Sequence, residues 1–325
     1  MKVVIENVSQ VMRRSAAVGA AVWVAALPFV QPSPFETVWA RFLLLLAPLV
    51  LVPLGLSLLD REVPVVGPQR KAFLLCVLLQ RWAALLLGFS MVVPERWPAV
   101  ATALPWLLVT GLLASFGVLR LQWRRPRPLA DLCVDAGLLY ILVGAVWAVL
   151  DRLEARPLGF EPVIVLLTAI HFHYAGFALP LMTGFALRSF NGPLARAAGG
   201  GVIAGIPLVA LGITASQLRL GFLLECLAAW ILAAAGLLVA WFHLRLAARP
   251  EGSPLARALW ALAAVSLAGS MILAALYGTR FYFPIPWLDI PWMRALHGSA
   301  NAFGFGLAGM LGWVVDERRR PTLQS

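Results

Sequence analysis

Thr168-Ala-Ile-His-Phe-His-Tyr-Ala-Gly-Phe-Ala-Leu-Pro180 sets two histidines and a tyrosine inside a long apolar run, Pro162 to Leu187. At 26 residues the run is long enough to cross a bilayer, which takes about 20. His171 and His173 then fall near its midplane. Ionisable side chains at that depth are costly, and where they occur they are paired or put to use.

Outward from this stretch the pattern repeats. Of 325 residues, 61% are apolar and 13% charged, and the mean hydropathy is +0.87. Soluble domains carry about 25% charge. Ten apolar runs are found at about 15–31, 38–59, 72–93, 98–120, 130–150, 160–187, 195–215, 220–244, 255–278 and 291–315. They are continuously apolar, whereas β-barrel strands alternate. The expectation is an all-α polytopic membrane bundle of about ten helices, forming one transmembrane domain over residues 1–325. The third run is interrupted by Gln80-Arg81. No cleavable leader is evident, and Ser15–Val30 reads as a first span or signal anchor.

The net charge of +11 does not make a nucleic-acid-binding face, because Lys and Arg sit between the apolar runs, as topology signals do. With the N-terminus inside, eighteen of the 26 fall on the inner side and seven on the outer, with Arg81 inside the membrane. This predicts both termini in the cytoplasm and a multi-pass protein of the bacterial inner membrane. Cys76, Cys133 and Cys226 lie within apolar runs, lack CxxC spacing, and read as small buried hydrophobes.

Polar groups inside the spans mark the candidate site. His171 and His173 are two apart, about 200° around a helix, so one can face a cavity while the other packs on a neighbour. His171 shares a face with Tyr174. In the last span His297 and Asn301 are four apart and also share a face. Gly298, Ala302 and Gly306 form a small-residue stripe suited to close helix packing. Alternating span directions put His171, His173, His297, Asn301 and Glu225 between the outer edge and the midplane, compatible with one polar cavity. Glu225 reads equally as an acid–base partner or an interfacial charge. Arg81 is a candidate for binding a substrate anion or pairing with Glu225. Asp135 is a weaker candidate, and His243 is placed near the inner edge. The connection Arg280–Trp292 holds three prolines and five aromatics, and reads as an interfacial anchor or a cap over a cavity.

The two stretches His171-Phe-His-Tyr-Ala-Gly-Phe177 and His297-Gly-Ser-Ala-Asn-Ala-Phe-Gly-Phe305 resemble the YndJ-like family of bacterial integral membrane proteins. The resemblance implies that His171, His173, His297 and Asn301 belong to a shared site, and says little of the chemistry there.

Three functions fit these residues. The first is an intramembrane enzyme acting on a lipophilic substrate by acid–base chemistry. Its catalytic groups would be His171, His173, His297 and Glu225, with Asn301, Tyr174, Arg81 and Asp135 binding substrate. No nucleotide loop, redox motif or serine elbow is present, so a cofactor-independent cyclase or isomerase of a polyketide- or terpenoid-like molecule leads. The second is a metal or haem protein, with His171 or His173 together with His297 as two axial ligands, or with all three histidines holding zinc, iron or copper, although neither HxxxH nor HExxH spacing occurs. The third is a secondary transporter of a small organic solute, with its site at the midplane.

Overall fold

A computed structural model describes residues 8–64, 66–123 and 127–317. Ten long helices follow one another: α1 Val8–Val30, α2 Thr37–Glu62, α3 Pro68–Ser90, α4 Arg96–Trp123, α5 Leu129–Arg152, α6 Pro162–Leu187, α7 Pro193–Gln217, α8 Leu223–Ala247, α9 Pro254–Gly278 and α10 Ile290–Glu317. No strand occurs among the described residues. Nine of the ten meet a length and hydropathy criterion for crossing a membrane. The other, α1, has 23 residues and carries Arg13 and Arg14 in its first turns, which lowers its mean hydropathy.

Sequence neighbours pack side by side, α3 on α4, α4 on α5, α5 on α6, α7 on α8, α8 on α9 and α9 on α10. The bundle closes where α2, α6 and α10 meet. α2 is the most enclosed helix, with 89% of its apolar window buried, against 33% for α7 and α9.

The three central helices are not regular. α2 widens into a π-turn at Ala47–Leu51, and α6 does so at Tyr174–Ala178. In each, the π-turn ends two residues before a proline, Pro53 or Pro180. A proline inside a helix lacks an N–H and its ring strikes the carbonyl four residues back. Widening the preceding turn moves that carbonyl aside. In α10 two π segments, Met293–Gly298 and Ala300–Ala308, occupy most of the N-terminal part. π-turns are rare and gather at functional sites. Here those of α2 and α6 both touch the second π segment of α10.

Two glycine rows let α10 approach its neighbours. A methyl at Gly298 or Gly306 would meet Leu43 or Leu51 of α2 at 3.1 Å. One at Gly304 would overlap Ser266 Oγ of α9 at 2.0 Å.

The polar groups of α3 do not break it. Gln80 is buried, donates Nε2–H to Pro48 O (2.6 Å) and accepts from Ser15 Oγ (3.2 Å). It ties α3 to α1 and α2, and the helix runs on through Arg81.

At one end of the bundle charges form a network. Arg120, fully buried, donates Nε–H to Asp135 (2.6 Å) and NH1 to Glu62 (3.2 Å). Arg188 pairs with Glu62 and with Asp131, and Arg13 and Arg61 pair with Glu317. These residues come from α1, α2, α4, α5, α6 and α10, the ends that the alternation of spans assigns to one side. Lys2, Arg124, Arg125 and Arg318–Arg320, counted with that side above, lie outside the described residues.

Candidate functional site

A cavity of about 390 Å³ opens among α5, α6, α7, α8, α9 and α10. Its walls are mainly apolar, from Val143, Trp147, Ile164, Leu167, Val209, Ile213, Leu232, Leu267 and Met271. Into it face His171, Tyr174, Glu225, His297 and Asn301, together with Arg280 and Arg294. Its size falls within the range of cavities that take small organic molecules.

His171 stands on α6 just before the π-turn. Its Nε2 is buried and bonds to no described residue. Leaving such a group unsatisfied costs on the order of 1–3 kcal/mol. Thr168 and Thr214, also on the wall, donate their hydroxyls to Ile164 O and Ala210 O of their own helices (both 2.8 Å), and so offer no spare donor.

His297 is held at both nitrogens. Nδ1–H donates to Ser270 O of α9 (2.9 Å), which fixes the tautomer. Nε2 then accepts from Asn301 Nδ2–H (3.2 Å), and this directs the Asn301 amide. Asn301 Oδ1 accepts no hydrogen bond from a described residue. Tyr174 lines the cavity with its ring, and its hydroxyl donates to Leu43 O (2.7 Å).

Four of the expected site residues stand differently. His173 is turned away from the cavity: it accepts from Trp106 Nε1–H (2.9 Å), the two rings lying nearly coplanar at 20°, and donates Nδ1–H to Ala169 O (2.7 Å). The 200° between the two histidines sends it to α4, beside Gly144, where an added methyl would lie 2.7 Å from Nδ1. Glu225 lines the cavity but forms an ion pair with Arg280 at 2.5 Å, and is no partner of an imidazole. Arg280 in turn stacks over Tyr277 and Phe281. Arg81 donates Nε–H to Ser15 Oγ (3.3 Å) on α1 and does not line the cavity. Asp135 belongs to the Arg120 network at the far end. His243, placed near an interface by the sequence, is fully buried, bonded to Val239 O (2.9 Å) and flanked by Phe305 and Trp313.

Arg294 and Arg280 went unrecognised in the sequence, where they counted only as topology signals. Arg294 donates Nε–H to Pro34 O (3.2 Å) and is 6% exposed. Its position three residues before His297, one turn along the same face, was the available signal. The connection Arg280–Trp292 contributes Arg280 and Ile290 to the cavity, while Phe281, Tyr282, Phe283, Trp287 and Trp292 are exposed.

For a metal the cavity brings His171 and His297 together without His173. Ligation by His297 through Nε2 would require Asn301 to give way. Among the described residues no group of three or more His, Cys, Asp or Glu is placed to hold a metal. Cys76 and Cys133 are buried, Cys226 partly so, and all three are free thiols.

The fold and this cavity define a polytopic helical membrane protein with an internal, mainly apolar chamber edged by polar groups. The chain belongs to the YndJ-like protein family, whose model matches residues 42–305 and so takes in both histidine stretches. It is 30% identical over 220 residues to "Uncharacterized membrane protein YndJ" of Bacillus subtilis (strain 168). That match covers 67% of this chain and 39% of the relative, so the chain spans well under half of that protein's length. No solved structure matches it.

Proposed function

We propose that the protein is an intramembrane enzyme that moves a proton on a lipophilic substrate, a cofactor-independent isomerase or cyclase. The observation that carries this reading is His171, an imidazole with a free Nε2 on the wall of an apolar cavity. His171 takes a proton from one carbon of the substrate and returns it to another, so no oxidant and no net proton is consumed. Asn301, steadied by His297, orients a substrate oxygen. Arg294 supplies positive charge, and the Glu225–Arg280 pair edges the chamber without adding net charge. Polyketide- or terpenoid-like molecules suit such walls. The setting is the bacterial inner membrane, with both termini cytoplasmic.

The test is deuterium incorporation. Full-length protein in lipid nanodiscs is incubated in D₂O with a bacterial lipid extract, and lipophilic species are followed by mass spectrometry. The expected result is one species gaining deuterium with the wild type and not with His171→Asn. Equal incorporation by both proteins would sink the proposal.

A second reading is a secondary transporter. It is favoured by the π-turns of α2, α6 and α10, since transporters place irregular helices at their midplane sites. Solute movement across proteoliposomes without deuterium uptake would select it.

A further inference from the structure

A second cavity, of about 660 Å³, lies on the other flank of α6. α6 turns Pro162 and Val165 toward it, and Ile164, Leu167 and His171 toward the first. Its wall holds three guanidinium groups, those of Arg41 on α2, Arg152 at the end of α5 and Arg156 just beyond. Two carboxylates, Asp151 and Glu154, share the wall. Glu154 is drawn to Arg96 at 2.6 Å. Asp151 lies 3.6 Å from Arg152, too far for a good hydrogen bond, and its charge is drawn to Arg41 as well as to Arg152. Arg152 donates NH2 to Val93 O (3.1 Å).

The remaining donors are unspent. Nε of Arg41 and Nε of Arg152 are both buried without a partner. Arg41 makes no hydrogen bond to a described residue. Arg156 is exposed at the opening. One carboxylate set against three guanidiniums leaves the cavity positive. The cavity also sits where α3 and α5 end and α6 begins, the level of lipid headgroups for helices that span the hydrocarbon core.

We propose that this cavity binds a phosphate-type anion, held by Arg41 and Arg152 and admitted past Arg156. Guanidinium forks match phosphate oxygens in geometry and charge. The phosphate belongs to a lipid headgroup or is free in solution. The proposal is independent of the chemistry assigned to His171.

The test uses the full chain in detergent at constant ionic strength, read by native mass spectrometry. The probes are phosphatidylglycerol, phosphatidylcholine and inorganic phosphate. Phosphatidylglycerol is expected to bind in preference to phosphatidylcholine. Arg41→Gln should weaken it by about tenfold or more, the effect of losing one charge-assisted contact. Arg219→Gln, an exposed guanidinium that is not part of the cavity wall, should leave binding unchanged. Displacement of the lipid by inorganic phosphate would identify the free anion as ligand, and lack of displacement would identify the headgroup. Should Arg41→Gln not fold, Arg156→Gln carries the test, since an exposed guanidinium can be lost without harm to packing, and a several-fold loss is expected. Equal lipid binding by the wild type and the folded variants, or no binding of any probe, would overturn the proposal.

Discussion

His171 and His173 are separated by one phenylalanine, and their surroundings give them opposite tasks. His173 has both nitrogens bonded, one of them to a tryptophan, so it contributes to stability. His171 has a bare nitrogen on the cavity wall. His171→Asn should therefore lower turnover by about 10²–10⁴, the usual share of a general acid–base group, and leave the melting temperature unchanged or raised. His173→Ala should do the reverse, lowering the melting temperature while sparing most of the turnover. Melting of the two variants in detergent, beside their deuterium exchange, checks both expectations. The spacing of two in the sequence already implied two faces. Which face met the cavity was not legible there, because Trp106 and Gly144, which receive His173, lie on other helices. Glu225 shows the same limit. Its partner Arg280 is 55 residues away and reads alone as a topology charge.

At the scale of helices, a bundle of about ten spans and its all-α character were legible from hydropathy, while the first helix begins at Val8, seven residues before the run placed at 15–31. The π-turns were not, since no composition marks them. Pro53 and Pro180 give a reason for two of them only once the helices are seen to run through the prolines. The glycines of α10 were legible as packing residues, and the structure divides them between two partners. Gly304→Ala would drive a methyl into Ser266 and push α9 from α10, at about 1–3 kcal/mol as overpacking usually costs. Adding Ser266→Gly, which returns the space, should recover most of the loss. Thermal unfolding of the single and double variants measures this. A double variant no more stable than Gly304→Ala alone would show that the contact does not set the approach of the two helices.

Across the whole molecule the two ends differ. One is closed by the network around Arg120, and the other carries both the exposed aromatic connection and the arginine-lined second cavity. Arg120→Met would remove the buried guanidinium that Glu62, Asp131 and Asp135 share, which should destabilise the protein by about 3–5 kcal/mol, as losing one partner of a buried ion pair usually does. Pairing it with Asp135→Asn should restore part of that, as seen in melting temperature. Sidedness follows from the same division. In intact cells a membrane-impermeant thiol reagent should label a cysteine at Phe283 and fail to label one at Arg61. The opposite pattern would invert the orientation proposed above. The π-turns of α2 and α6 carry a last consequence, for the way such a chain tolerates changes in length. A π-turn is equivalent to one extra residue threaded into a helix, and each residue advances a helix by about 100°. Deleting Ala175 would leave α6 with a full complement of hydrogen bonds, yet rotate Phe177, Leu181 and Phe185 out of the face they now fill. The helix would survive as a helix, yet it could no longer seat these side chains against Gly55 of α2 and Trp313 of α10 while His171 faces the chamber, so in this segment residue count is a constraint separate from residue identity.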